Sequence, residues 1–256
     1  MTQGFRPRKR FGQHFLEPAW ADRVVQAIAP QAGDDVVEIG PGTGVLTVRL
    51  APRVKRLTAI EVDRDLAAAL ERSAPPNLRI RAADVLEIDP TAVLGAGPIR
   101  IAGNLPYNIS SPVLFRLFDW AAGSGSIVDA TLMVQQEFAA RLAAAVGTKD
   151  YGVLTIFTAM AADVRLVFEL PPGAFRPMPR VRSALVHLVF RPPPVALTSR
   201  TVFDQIVRSI FTQRRKTLAN AARGVADAFG RSAQEALSAA GIDEAPGRQR
   251  PSTSAR

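Results

Sequence analysis

Asp35-Val36-Val37-Glu38-Ile39-Gly40-Pro41-Gly42-Thr43-Gly44 is a short apolar strand that breaks into a turn with glycine at every second position. Glycine has no Cβ, so the backbone N–H groups of such a turn can come close to a ligand at the start of the next helix. Val45 to Leu50 reads as that helix. On the N-terminal side, Trp20, Val24, Val25 and Ile28 recur at helical spacing, so Pro18 to Ile28 reads as a helix feeding the strand.

The pattern repeats outward from this unit. Leu57 to Asp63 is a second strand and ends in acids; Asp65 to Ser73 is helical; Asn77 to Ala82 is a third strand, followed by Asp84. Pro98 to Ala102 is a fourth strand, which runs into Gly103-Asn104-Leu105-Pro106-Tyr107-Asn108. Ser111 to Ala122 is a helix, Ala130 to Gln135 a fifth strand, and Gln136 to Ala145 another helix. Alternating strands and helices imply an α/β fold, a parallel sheet covered on both faces. After Tyr151 the order changes. Leu154 to Ala161 fits helix or strand, and Asp163 to Leu170 and Val181 to Phe190 read as an antiparallel pair around the proline-dense loop 171–179. Pro192-Pro193-Pro194 reads as a linker, and three helices follow over 201–211, 215–229 and 232–240. The expected domains are therefore residues 1–191 and a small, all-helical 192–256. The last ten residues, Gly247 to Arg256, lack apolar periodicity and are expected to be disordered.

Composition narrows the function. The 256 residues carry a formal charge of +9, concentrated at the two ends, which points to a polyanionic partner such as nucleic acid. There is no cysteine, and the two histidines are His14 and His187. Thiolate chemistry is excluded and no metal site is expected. No apolar run reaches the length of a membrane span, and the basic N-terminus lacks the apolar stretch of a secretory signal. The expected location is cytoplasmic, with no membrane partner. Arg6, Arg8, Lys9 and Arg10 precede Phe11-Gly12-Gln13-His14-Phe15-Leu16, an arm suited to phosphate contact.

The strand ends carry the chemistry. Position 45 is Val, so the dinucleotide fingerprint Gly-x-Gly-x-x-Gly is not met, and the turn suits a nucleoside-type cofactor such as S-adenosylmethionine. Glu61 at the end of the second strand can accept both ribose hydroxyl protons, and Asp84 after the third can accept from an adenine amino group. Ligands of open parallel sheets bind at these carboxyl ends. Asn104-Leu105-Pro106-Tyr107 then forms a stiff polar tip on the fourth strand. An exocyclic adenine amine is a poor nucleophile, because its lone pair is delocalised into the ring. The Asn104 amide oxygen and the Pro106 carbonyl can accept its two N–H bonds, which favours a pyramidal nitrogen with its lone pair turned to the methyl donor. No strong base is needed, since the amine becomes acidic only after it gains the methyl group. Tyr107 either stacks on the base, a contact worth about 1–3 kcal/mol, or props Asn104 in place.

These residues resemble the ribosomal RNA adenine N6-dimethyltransferases. The similar stretches are Glu38 to Gly44, Ile60-Glu61-Val62-Asp63, Asn104 to Tyr107, Arg8 to Leu16, Phe175 to Ser183, and Phe211-Thr212-Gln213-Arg214-Arg215-Lys216-Thr217-Leu218. The last resembles the housekeeping branch that modifies small-subunit rRNA. The resemblance implies a Rossmann-like class I methyltransferase sheet with a small C-terminal helical domain. It implies S-adenosylmethionine as methyl donor, and 16S rRNA of the immature small subunit as substrate, methylated at two adjacent adenines near its 3′ end. It further implies a cofactor site lined by His14, Leu16, Gly40, Gly42, Glu61, Asp84 and Asn104. Asn104, Pro106 and Tyr107 would hold the amine, and Phe175 would cover the other face of the base. Arg8, Lys9, Arg10, Arg214, Arg215 and Lys216 would contact RNA, and the protein would act as a monomer. Two features depart from the family pattern: His at position 14, where Asn is the common alternative, and the tail after Arg250-Pro251, where the family usually continues with another apolar helix that here is either lost or altered. The competing readings are the antibiotic-resistance branch acting on 23S rRNA, a non-catalytic nucleic-acid-binding relative, and a DNA adenine methyltransferase. The last would need to flip its base and lacks a target-recognition domain.

Overall fold

The computed structural model describes residues 13–95, 97–214 and 216–242. Arg8, Lys9, Arg10, Arg215 and the 247–256 tail lie outside the described residues. The chain forms two compact units. One runs to Ala139 and resumes over Ala161–Pro192; the other holds Ala140–Met160 and the residues from Pro193 onward. The second unit thus takes in a stretch before the linker that the sequence pattern groups with the sheet.

In the first unit the apolar runs become strands β1 (Phe15–Leu16), β2 (Asp35–Ile39), β3 (Arg56–Glu61), β4 (Leu78–Ala82), β5 (Ile99–Asn104), β6 (Ile127–Gln135), β7 (Ala162–Leu170), β8 (Phe175–Arg176) and β9 (Ser183–Phe190). Helix α1 (Pro18–Ile28) leads from β1 into β2, α2 (Thr47–Leu50), α3 (Arg64–Glu71) and α4 (Ser110–Ser124) connect parallel strands, and α5 (Gln136–Leu142) follows β6 and runs into the second unit. The main sheet has the order β4-β3-β2-β5-β6-β9-β7. The first five strands are parallel, and β9 joins β6 and β7 antiparallel; the pairing with β7 is the one the sequence pattern predicts. From β2 the chain winds out through β3 and β4, then returns to lay β5 on the other side of β2. That reversal opens a crevice at the carboxyl ends of β2 and β5, where Ile39 pairs Gly103.

The sheet is held by burial. Val24, Val25 and Ile28 of α1 pack with Leu50, Leu57, Met133, Leu170 and Leu185 in one apolar cluster. Each fully buried aliphatic side chain there contributes about 1.5–3 kcal/mol. At the opposite end of β5 from the crevice, Arg100 grips Asp129 at 2.8 Å and Asp34 at 2.8 Å, and donates to the Ile28 carbonyl at 2.8 Å. One side chain thus ties the end of α1 to the amino ends of the central strands.

A second, two-stranded sheet was not legible in the sequence. β1 pairs antiparallel with β8, Phe15 opposite Arg176 and Leu16 opposite Phe175. Two residues carry no periodicity, and the partner lies far along the chain.

In the second unit, α6 (Val153–Ala161) resolves the ambiguous stretch as helix, and α7 (Arg200–Thr212), α8 (Leu218–Ala228) and α9 (Ala233–Ala239) follow. Ser199, Thr217 and Ser232 cap the last three, and Ser232 forms a full capping box with Glu235. Phe157 meets Phe203 edge-on at 5.5 Å, with the Arg208 guanidinium 5.3 Å from its ring. No helix of the described residues is long and apolar enough to cross a membrane.

Candidate active site

The crevice holds a cavity of about 190 Å³, lined by the glycine turn, the ends of β3 and β4, the segment after β5 and residues 13–15. Gly40 and Gly42 adopt φ of +66° and +58°, a left-handed geometry that other residues enter only with strain. A Cβ on Gly42 would stand 2.8 Å from the Phe15 ring, so that ring lies directly on the turn.

Glu61 ends β3 and is 5% exposed. Its Oε2 accepts the Gly42 N–H at 3.0 Å and its Oε1 accepts the Asp63 N–H at 2.9 Å. Burial raises its carboxyl above the ordinary range, and the backbone N–H groups of Asp63 and Gly42 pull it partly back. The acid therefore shapes the glycine turn as well as facing the cavity. Each oxygen keeps a lone pair for a further donor. Asp63 is the N-cap of α3, accepting from Asp65 N–H at 3.1 Å. Asp84 lines the cavity beyond β4, with Oδ1 bound to the Leu86 N–H at 2.9 Å.

Asn104 closes β5. Its Nδ2 donates one of its two N–H bonds to the His14 carbonyl at 2.7 Å, which fixes the amide's orientation and leaves Oδ1 as acceptor for the cavity that Asn104 lines. The Pro106 carbonyl is already in use. It accepts the Ile109 N–H at 3.1 Å and the Ser110 hydroxyl at 3.1 Å as α4 begins, so both of its lone pairs are committed. The neighbouring Leu105 also lines the cavity, and among the described residues its carbonyl accepts no hydrogen bond. The second acceptor is thus better supplied by Leu105 than by Pro106.

Tyr107 is half-buried, with its hydroxyl 2.6 Å from Ser183 Oγ. Burial raises its phenol above the ordinary range, and the Ser183 bond opposes that. The His14 ring stacks on Tyr107, with centroids 5.4 Å apart and planes at 25°. His14 Nδ1 lies 2.6 Å from the Pro177 carbonyl. A carbonyl only accepts, so Nδ1 carries the proton.

His14, Gly40, Gly42, Glu61, Asp84, Asn104, Pro106 and Tyr107 therefore gather around one cavity. Leu16 and Phe175 do not line it. They pair across β1 and β8 inside the apolar cluster, at 5% and 0% exposure. Phe175 cannot cover a base from there. Arg214 and Lys216 belong to the second unit, where Arg214 donates to the Lys149 carbonyl at 3.2 Å. The Phe15 ring, the Leu105 carbonyl and Ser183 took no role from sequence. Phe15 and Ser183 stand within family-like motifs but have no nearby partner in the chain to reveal them, and a backbone acceptor leaves no side-chain signal.

The family model described as ribosomal RNA adenine dimethylase matches residues 4–245. The chain is 47% identical over 224 residues to the Ribosomal RNA small subunit methyltransferase A of Xanthomonas axonopodis pv. citri, covering 86% of this chain and 84% of that one. It is 45% identical to the protein of the same name from Leptothrix cholodnii, covering 84% and 78%. Among solved structures, a dimethyladenosine transferase from Plasmodium falciparum superposes with a TM-score of 0.72 at 28% identity, covering 92% of this chain and 85% of that one. The 23S rRNA methyltransferase ErmE gives 0.62 at 27% identity, covering 93% and 90%. By the extent of the family match and the identity to these relatives, the chain belongs to the ribosomal RNA adenine dimethylase family.

Proposed function

We propose that this protein is an S-adenosylmethionine-dependent enzyme that dimethylates N6 of two adjacent adenines near the 3′ end of 16S rRNA. It acts as a cytoplasmic monomer on the immature small subunit. The observation that carries the reading is the Asn104 amide, tied by its nitrogen to the His14 carbonyl and so left with Oδ1 for the cavity. An amine with two N–H bonds is the target that an amide oxygen and a free backbone carbonyl suit.

The donor set fits the cofactor. Glu61 has a spare lone pair on each oxygen for two ribose hydroxyls, and Asp84 stands one strand further on for the adenine amino group. Ile60, Val62 and Val85 add apolar walls for the base, and Gly40 and Gly42 keep the turn open for close approach. When bound, S-adenosylmethionine supplies a methyl group on a positively charged sulfur. The chain's own contribution is to hold the nucleophile. Asn104 Oδ1 and the Leu105 carbonyl accept the two amine N–H bonds and hold the lone pair towards the donor. Tyr107, fixed at its hydroxyl by Ser183, walls the slot. Arg8, Lys9, Arg10, Arg214, Arg215 and Lys216 supply sequence-independent attraction to RNA phosphates.

The likeness to ErmE raises large-subunit rRNA as a second substrate. The 47% identity to a small-subunit methyltransferase favours the first reading. Labelled S-adenosylmethionine offered to unmethylated small subunits and to large subunits, with the modified nucleotides mapped, separates them. Dimethyladenosine in 16S rRNA is the expected product. Label confined to 23S rRNA, or tight RNA binding with no transfer, would overturn the proposal.

A further inference from the structure

His14 touches three parts of the site at once. Its carbonyl orients the Asn104 amide, its ring lies on Tyr107, and its Nδ1–H donates to the Pro177 carbonyl. Pro177 opens an exposed loop that ends at Ser183, and Ser183 meets the Tyr107 hydroxyl. Both ends of the loop therefore close on one aromatic ring. Between them the loop presents Met178 at 62% and Val181 at 44% exposure, with the Arg180 side chain also exposed. Apolar side chains beside a guanidinium suit the unstacked bases and phosphates of a single RNA strand.

We infer that His14 is a positioning residue: its imidazole clamps the 177–183 loop to Tyr107, so that the loop and the amine-holding Asn104 to Tyr107 stretch keep one fixed relation. The inference rests on the methyltransferase reading above. The fold of the two segments does not depend on the ring. The β1–β8 pairing, the Glu17 N–H bond to the Ala174 carbonyl and the Arg176–Glu17 ion pair at 3.3 Å already join them. What the imidazole adds is directed at the site. A donor alone could hold Pro177, and a ring alone could back Tyr107; histidine does both.

The test compares wild type with H14A, H14F, H14N, S183A and the H14A/S183A double variant, as full chains. Each is assayed for kcat and KM on unmethylated small subunits and for S-adenosylmethionine affinity by calorimetry. H14A should lose kcat on the order of tenfold through misplacement of the amine, and any loss of cofactor affinity from the cavity wall should be clearly smaller than the loss of kcat. H14F keeps the ring and H14N keeps the donor, so each should recover part of the loss. S183A should also lower kcat, and the double variant should lose less than the product of the single losses, because both residues act through Tyr107. The inference is overturned if H14A retains wild-type kcat, if cofactor affinity falls as far as kcat, or if the two losses multiply. Should H14A fail to fold, H14F and H14N carry the same comparison. A wild type that methylates no rRNA overturns the proposed function and this inference with it, whereas an active wild type with indifferent variants overturns this inference alone.

Discussion

Replacing Glu38 by glutamine isolates the electrostatics beneath the glycine turn. Glu38 is 1% exposed in β2, and among the described residues its Oε2 has no hydrogen-bond partner. Burial lifts its carboxyl from an ordinary 4.5 to about 7. The nearby Thr47 hydroxyl, outside hydrogen-bond geometry, offsets this in part, and the Glu61 charge adds to it. Between those two values the folded chain holds a proton that the unfolded chain releases. This group's contribution to stability is therefore complete below about pH 4.5 and lost as pH rises through about 7, a total of about 3 kcal/mol. E38Q keeps the shape but cannot titrate. Urea unfolding of both proteins without cofactor, from about pH 5 to about pH 8, should show wild type losing between about 2 and 3 kcal/mol relative to the variant. The comparison is between slopes, so a constant cost of burying the glutamine amide does not affect it. Parallel curves across that range would refute the reasoning, because they would mean that Glu38 titrates alike in both states.

Asn104→Ala should reduce single-turnover methyl transfer by on the order of 10²-fold with little change in cofactor affinity, since its main contact forms with the reacting amine; equal losses in both would remove it from that role. Glu61→Ala should weaken S-adenosylmethionine binding in calorimetry. It should also lower stability, because the Gly42 and Asp63 N–H groups lose their acceptor, at about 1–3 kcal/mol each. Undiminished cofactor affinity would count against the ribose assignment. Replacing Arg214 and Lys216 by alanine should flatten the salt dependence of RNA binding, by about one unit of slope for each phosphate that is no longer neutralised; an unaltered slope would make them a solvated helix end.

The strands, and with them the crevice, were legible because apolar runs ending in Gly40, Glu61, Asp84 and Asn104 place polar groups at one edge of a parallel sheet. Antiparallel β7 and β9 followed from two strands joined by a proline-dense loop. Other features depend on contacts that no local pattern encodes. Phe175 looked available as an aromatic in a loop, yet its pairing opposite Leu16 buries it. The Pro106 carbonyl looked free until the first turn of α4 claimed it through Ile109 and Ser110. Glu38 read as part of a strand, and only its complete enclosure makes it a titrating group. The stretch Leu154 to Ala161 was apolar under either period, and its helical state had to come from packing.

The β1–β8 pair also sets a schedule for synthesis. His14 bonds Pro177 across 163 residues, and Leu16 finds Phe175 over nearly the same distance. A nascent chain that has emerged only as far as β6 possesses the glycine turn, Glu61 and Asn104, but lacks β8, the partner of its first strand. The His14 ring then has no Pro177 carbonyl to hold it, and the Tyr107 hydroxyl has no Ser183. Closing so long a loop adds only slowly to the entropic cost, but such distant contacts form late. The aromatic side of the site is therefore complete only once β9 has begun to emerge, so a chain cut short before Ser183 keeps the glycine turn and the acids without the contact that holds the Tyr107 hydroxyl.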